Sequence, residues 1–191
     1  YVTNDPVNKL PKMLRVAERL DRLHLHTSQI QAIRGALLDE SSNWRRLVED
    51  VFRDVDQRLL QKLAECFVVN ASLEGAARAR EAEALHDCNV PWAILMDPTS
   101  ACNLSCVGCW AAQYGDKNNL SFETMDSICR QGKELGTYFY IFSGGEPLVR
   151  KKDIIRLCEA HPDCYFFSFT NGTLVDDAFC RELLRVGNFA L

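Results

Sequence analysis

Residues 90–109 read VPWAILMDPTSACNLSCVGC, a short apolar run followed directly by three closely spaced cysteines. The apolar run over residues 92–96 is continuous and comes after a proline, which predicts a β-strand buried on both faces. The cysteines are Cys102, Cys106 and Cys109, separated by three and then two residues. We therefore expect one loop, here called the cysteine loop, to carry all three thiols at the carboxyl end of the first strand.

Strand and helix patterns alternate from this point to the end of the sequence. Ser121 can cap a helix that Gly136 ends, and Asp176 can cap another that runs to about residue 185. Further apolar strands are predicted over residues 138–142, 164–170 and 188–191, with another helix over about 151–160. Such strict alternation predicts an α/β fold with parallel strands and right-handed crossovers.

Two more unusual segments follow the second and third predicted strands. They are the glycine turn, Gly144-Gly145-Glu146-Pro147, and the segment Thr170-Asn171-Gly172. Chemistry in parallel α/β folds collects at the carboxyl ends of the strands, so we expect both segments beside the cysteine loop. The glycines would let the backbone approach a ligand, and the Glu146 carboxylate can accept a bond from a cationic amine. By its composition, the turn could equally be only a tight connection between strand and helix.

The pattern over residues 1–89 differs from that of the α/β segment and predicts a helical domain. Apolar residues recur there at three- and four-residue steps, which is typical of amphipathic helices. Ser41 or Ser42 can begin one helix, whose pattern continues either without interruption or with a bend near residues 54–56. We expect an all-helical N-terminal domain over residues 1–89 and a separate α/β domain over residues 90–191.

The composition excludes several classes of protein. Among 191 residues, 22 basic and 26 acidic side chains give a net charge of −4, so no nucleic-acid partner is expected. No apolar run reaches the length of a membrane span, and no secretory signal begins the sequence. Nine cysteines, three of them crowded into one loop, do not suit a disulfide framework, and a cytoplasmic location is expected.

The number of cysteines in the loop bears on the kind of metal site that it can form. On a four-iron cluster three thiolates leave one iron without a protein ligand, free to bind something else. A fourth ligand such as Cys88 would instead close the cluster and make the protein an electron carrier. A zinc-stabilised interaction module, with Cys88 or a distant histidine as fourth ligand, is a third interpretation, although zinc modules commonly use two paired ligand knuckles. The residues alone leave all three open.

The cysteine loop and the glycine turn together resemble the signature of the radical S-adenosylmethionine (radical SAM) enzymes. That family carries Cys-x3-Cys-x2-Cys after the first strand of a partial (βα)6 barrel and Gly-Gly-Glu-Pro after the second strand. Both motifs stand here in that order, and the resemblance covers residues 91–191. It implies an α/β fold in which the helical domain is followed by the first half of such a barrel, about three to four βα units.

The resemblance also implies an activity. The three loop cysteines would ligate a 4Fe–4S cluster whose open iron binds S-adenosylmethionine. An electron from a donor of the flavodoxin or ferredoxin type would cleave that cofactor to a 5′-deoxyadenosyl radical, which takes a hydrogen atom from a substrate. The residues implied to lie at the cofactor are Gly144, Gly145 and Glu146, mainly through backbone carbonyls, and Thr170 and Asn171. The substrate is left open.

Two features depart from the family pattern. An aromatic residue usually stands before the third cysteine and packs on the adenine, whereas this sequence has Gly108 there and Trp110 just beyond the cysteine. Either Trp110 replaces part of that contact or backbone alone holds the adenine. Residues 90–191 are also only about half of the roughly 190 that six βα units need, and the sequence begins with Tyr1. We therefore expect a piece of a longer protein, poorly stable by itself because its last strand would expose an apolar edge.

Overall fold

The structure is a computed structural model that describes residues 10–20, 27–115 and 117–191. Its contacts divide the chain into two compact units, Tyr1–Gln61 and Lys62–Leu191. The division falls inside the helical segment, ahead of the boundary expected between residues 89 and 90. A grouping by contacts does not test where an independently folding domain begins, so the two domains of the sequence analysis remain predictions.

The first unit is helical. Its helices are α1 (Leu10–Leu20), α2 (Thr27–Leu38), α3 (Asn43–Asp54) and the beginning of α4 (Gln57–Leu63). Ser42 is the N-cap of α3, where its hydroxyl accepts a bond of 3.2 Å from the Trp44 N–H. The helix is interrupted between α3 and α4, so of the two arrangements that the sequence left open, the structure has the one with a break near residues 54–56.

The second unit begins with a helical segment that packs on the sheet. After α4 a π-helix covers Ala64–Glu74, and α5 covers Gly75–His86. The Phe67 ring on the π-helix contacts the rings of Trp92, Phe139 and Tyr165, with centroids 5.1–6.0 Å apart. The π-helix therefore covers the amino end of the sheet, an arrangement that the sequence pattern did not predict.

The described residues of this unit form a parallel sheet of four strands, β1 (Ala93–Met96), β2 (Phe139–Phe142), β3 (Tyr165–Ser168) and β4 (Phe189–Ala190). Neighbours in the sheet are neighbours in sequence, and the register pairs Met96 with Phe142 and Phe142 with Ser168. The crossover helices are α6 (Phe122–Leu135), α7 (Lys151–Ala160) and α8 (Asp177–Val186). The predicted α/β fold with parallel strands is confirmed.

Local sequence signals set the helix ends. Ser121 Oγ accepts a bond from the Thr124 N–H at the start of α6, and Gly136 ends that helix with φ +102°. The left-handed backbone of Gly136 explains why glycine suits this position. Asp176 caps α8 through a bond of 2.7 Å from the Phe179 N–H. Each of these caps was predicted from the sequence.

One face of the sheet carries the hydrophobic core. Tyr140, Phe142 and Phe166 are fully buried there against the crossover helices, and the Phe142 and Phe166 rings are stacked with centroids 5.8 Å apart. On β1 only that face is closed, since Met96 is 4% exposed but Leu95 is 58% exposed. The prediction that the first strand is buried on both faces is therefore wrong, because the crossover helices all pack on the Met96 side.

No helix within the three described ranges is both long enough and apolar enough to cross a membrane.

Candidate functional site

The cysteine loop follows β1 directly. Cys102, Cys106 and Cys109 are all exposed and none is in a disulfide. The Cys109 N–H donates to the Cys106 carbonyl at 3.3 Å, and the Leu104 N–H lies 3.4 Å from Cys102 Sγ. Among the described side chains, the three sulfurs do not all lie within 4.8 Å of one another, as the ligands of a single ion would. A spacing wider than that of the ligands of one ion suits a polynuclear cluster.

Cys88 is placed unfavourably as a fourth ligand. It is exposed and precedes β1, whereas the cysteine loop follows that strand. A strand rises about 3.3 Å per residue, so the four residues of β1 carry the chain from one edge of the sheet to the other. The position of Cys88 therefore does not support the alternative in which this residue is a fourth ligand of the cluster.

Two adjoining cavities lie at the carboxyl edge of the sheet. The first, here called the thiol cavity, has a volume of about 300 Å³ and is lined in part by Cys102 and Cys109. The second, here called the aromatic cavity, has a volume of about 230 Å³ and is lined in part by Trp110 and Tyr114. Gly145 lines both. Together they reach the size of a small-molecule site, about 300–1,000 Å³.

The glycine turn lies against the backbone that leads into the cysteine loop. The Gly145 N–H donates to the Thr99 carbonyl at 3.0 Å, and the Glu146 N–H donates to the Ala101 carbonyl at 2.8 Å. A Cβ on Gly145 would lie 2.2 Å from the Ala101 oxygen, closer than any real contact. The turn thus needs glycine at this position so that its backbone can line both cavities.

The side chain of Glu146 is buried and hydrogen-bonded within the protein. It is 1% exposed, and its carboxylate accepts bonds from the Leu148 N–H (2.9 Å), the Thr170 hydroxyl (2.7 Å) and the Asn171 N–H (2.8 Å). Two of these donors belong to the segment after β3. The carboxylate thus joins the ends of β2 and β3, and three of the about four acceptor sites of a carboxylate have protein donors.

Asn171 connects the segment after β3 to the cysteine loop. Its Nδ2 donates to Asn103 Oδ1 at 3.0 Å and lies 3.9 Å from Cys102 Sγ. Its Oδ1 accepts bonds from the N–H and hydroxyl of Thr173, and that hydroxyl accepts from Asn103 Nδ2 at 2.8 Å. This network holds the loop beside Cys102. The sequence analysis missed Asn103 and Thr173, although an amide next to a ligand cysteine was a signal for the first.

The aromatic cavity contains the residues that depart from the family pattern. Gly108 has φ +76°, and within the described part of the chain nothing lies within 4 Å of where its Cβ would stand. The Trp110 ring is 60% exposed and meets Tyr114 edge-on, with centroids 5.9 Å apart. Asp97 and Asn118 complete this lining. Neither they nor Tyr114 were identified from the sequence, because no local pattern marks them.

The model of the radical SAM superfamily matches residues 96–191, half of the chain. The chain therefore belongs to the radical SAM superfamily, and the family expected from the two motifs is confirmed.

Among curated relatives, the probable GTP 3′,8-cyclase of Methanothermobacter marburgensis is 36% identical over 83 residues, 41% of this chain and 27% of that protein. The Fe-coproporphyrin III synthase of Methanosarcina barkeri is 34% identical over 99 residues, 49% of this chain and 24% of that protein. The chain thus spans about a quarter of the length of these relatives. Among solved structures, Streptococcus suis SuiB bound to the precursor peptide SuiA has a TM-score of 0.48 and 25% identity, covering 61% of this chain and 27% of that chain.

Proposed function

We propose that this chain provides the cofactor-binding part of a radical SAM enzyme. The observation that carries the proposal is that the Cys102 and Cys109 thiols line one cavity together with the Gly145 backbone, with the exposed Cys106 thiol in the same loop and a second cavity adjoining at Gly145. Cys102, Cys106 and Cys109 would hold a 4Fe–4S cluster and leave one iron open. When bound, the cluster would supply an electron to S-adenosylmethionine, whose cleavage gives methionine and a 5′-deoxyadenosyl radical that takes a hydrogen atom from a substrate.

The glycine turn would hold the methionyl end of S-adenosylmethionine. Gly144 and Gly145 line the aromatic cavity with backbone, and Gly145 also lines the thiol cavity. Backbone carbonyls of the turn can accept bonds from an ammonium group, whereas the Glu146 carboxylate already has three protein donors. Glu146 would therefore act as a positioning residue that fixes the turn.

The segment after β3 would position the cluster ligands. Asn171 reaches Asn103 and Cys102 Sγ, and Thr170 is held by Glu146. Hydrogen bonds to cluster sulfurs influence the reduction potential, so the amide beside Cys102 would also affect how readily the cluster accepts an electron. The role of Thr170 and Asn171 would thus be exerted through the turn and the loop.

The sheet supports a larger barrel. Strand order follows chain order, and all crossover helices pack on one face, as in a closed βα barrel. Leu95 on the opposite face is 58% exposed, as a residue lining the interior of an unfinished barrel would be. We infer a partial (βα)6 barrel whose remaining units lie outside residues 90–191, preceded by the helical domain over residues 1–89.

The exposed cysteine loop is open to an electron donor from solvent. A low-potential protein of the flavodoxin or ferredoxin type would fit this requirement, and a reducing compartment such as the cytoplasm would keep the thiols available. The substrate remains open, since the relatives differ in what their names describe.

Replacing Trp110 by alanine should weaken the binding of S-adenosylmethionine to the cluster-loaded chain by about 5- to 160-fold. Stacking of a base on an aromatic ring contributes about 1–3 kcal/mol, and Trp110 offers the larger of the two exposed rings that line the aromatic cavity. Equilibrium dialysis of labelled cofactor against the anaerobically reconstituted chain measures the dissociation constant.

Trp92→Ala is the matched control for this experiment. Trp92 is 49% exposed but precedes β1 and contacts Phe67, so its loss should leave cofactor binding unchanged. Equal affinity of the Trp110 variant and the unaltered chain for S-adenosylmethionine would contradict a contact between Trp110 and the adenine. Absence of binding in the unaltered, cluster-loaded chain would contradict the proposed function and favour the electron carrier.

A further inference from the structure

A second group of possible ligands lies at the amino edge of the sheet, opposite the cysteine loop. It belongs to the loop between α7 and β3. A ring nitrogen of His161, the Asp163 carboxylate and Cys164 Sγ all lie within 4.8 Å of one another. His161 and Cys164 are buried, and Asp163 is partly buried. These three residues have no part in the cofactor site described above.

The His161 ring is already oriented as a metal ligand would be. Its Nε2 lies 3.0 Å from Asp126 Oδ1, and only 3% of the side chain is exposed. Among the described residues, the buried Nδ1 has no hydrogen-bond partner. With its proton on Nε2 toward Asp126, the ring presents the Nδ1 lone pair, the arrangement that metal-binding histidines usually show.

The backbone of this loop is fixed from two sides. Asn188 Nδ2 donates to the carbonyls of His161 (3.0 Å) and Cys164 (3.1 Å), and Asn188 is fully buried. From the π-helix, Asn70 Nδ2 donates to the Asp163 carbonyl at 2.9 Å. The three ligand atoms are therefore held near one another before any ion arrives, which lowers the ordering cost of binding.

The charges around the loop suit a divalent cation. Lys133 Nζ lies 3.0 and 3.2 Å from the two Asp163 oxygens, and each oxygen keeps a lone pair for a further partner. A thiolate from Cys164 and the Asp163 carboxylate would neutralise a divalent ion, and Asp126 is paired separately with Arg130 at 3.0 Å. Burial raises the pKa of the Cys164 thiol, so without metal that residue is protonated and its proton leaves to solvent when an ion binds.

We propose that His161 Nδ1, one oxygen of Asp163 and Cys164 Sγ bind one Zn²⁺ ion, with a water as the fourth ligand. Mixed nitrogen, sulfur and oxygen donors in a tetrahedral set are typical of zinc. Asp163 keeps its other oxygen for Lys133. The bound ion would hold the loop before β3 in place at the amino edge of the sheet.

Zinc titration of the full chain tests the proposal, provided that the cysteine loop cannot compete. A C102S/C106S/C109S background removes those exposed thiols without touching the core. Competition with a chromophoric chelator should show one equivalent of Zn²⁺ per chain. His161→Gln and Cys164→Ala should each weaken binding by at least 100-fold, and Asp126→Asn by about 10–100-fold, as for other outer partners of ligand histidines.

Exposed residues of the same types provide the controls. His86→Gln and Cys180→Ala should leave the zinc affinity unchanged. With Co²⁺ in place of Zn²⁺, a thiolate-to-metal charge-transfer band should appear in the background and in the Cys180 variant, and be absent from the Cys164 variant. Far-UV circular dichroism identifies any variant that fails to fold. If His161→Gln does not fold, Asp126→Asn tests the histidine ligand in its place.

Two results would contradict the proposed zinc site. One is a background chain that takes up no stoichiometric zinc. The other is equal affinity in the background and in folded His161, Cys164 and Asp126 variants, which would place any bound ion elsewhere and leave His161 as a histidine of the core.

Discussion

Replacing Cys106 by alanine should remove the cluster from the reconstituted chain. Cys106 stands between Cys102 and Cys109 in the cysteine loop, and its loss would leave only two thiolates to hold the cluster. Analysis of iron and acid-labile sulfide should fall from about four of each per chain to near zero. The characteristic absorbance of the cluster in the visible region should disappear in parallel.

Cys88→Ala is the variant that separates the enzyme from the electron carrier. Cys88 is as exposed as the loop cysteines but lies on the other side of β1, so its loss should leave iron and sulfide unchanged. Cys180→Ala serves as a second exposed control. Loss of the cluster in the Cys88 variant would mean that the cluster is closed by a fourth cysteine. Zinc without sulfide in the unaltered chain would instead support the interaction module.

Replacing Gly145 by alanine should disrupt the carboxyl edge of the sheet. The new Cβ would meet the backbone oxygens of Ala101 at 2.2 Å and Ser100 at 2.5 Å. Backbone cannot move aside as a flexible side chain can, so we expect the upper end of the usual overpacking cost, about 3 kcal/mol. Urea unfolding followed by tyrosine and tryptophan fluorescence should show a lower midpoint, and reconstitution should yield less iron.

Gly172→Ala is the matched control for this substitution. Gly172 has φ +76° but nothing within 4 Å of its Cβ position, so the variant should lose only the about 1–2 kcal/mol of a left-handed backbone. Both glycines lie in the same compact unit. Equal unfolding midpoints for the two variants would contradict the close approach of the glycine turn to the cysteine loop.

The parts of the fold that follow from local sequence were predictable. Ser121 and Asp176 cap their helices through their own side chains, and the alternation of strands with helices set the parallel sheet. The π-helix over Ala64–Glu74 was not predictable, because its apolar spacing resembles that of an α-helix and its register is set by packing against the sheet. The exposure of Leu95 also depends on which face the crossover helices cover.

In the candidate site, too, some features follow from local sequence and others depend on the folded structure. Cys102, Cys106 and Cys109 are defined by their spacing within one loop. The hydrogen-bond partners of Glu146 could not be predicted from local spacing, because its carboxylate reaches the segment after the next strand. The contact between Asn103 and Asn171 joins residues from two loops far apart in sequence, so only the folded sheet reveals it.

The most direct test of the account is the electron paramagnetic resonance spectrum of the reduced cluster before and after S-adenosylmethionine is added. An iron without a protein ligand can bind the amino and carboxylate groups of the cofactor. We therefore predict a clear change in the g-values of the reconstituted chain, retained in the Cys88→Ala variant. An intact four-iron cluster whose spectrum does not change at saturating cofactor would contradict the open iron on which the proposed function depends.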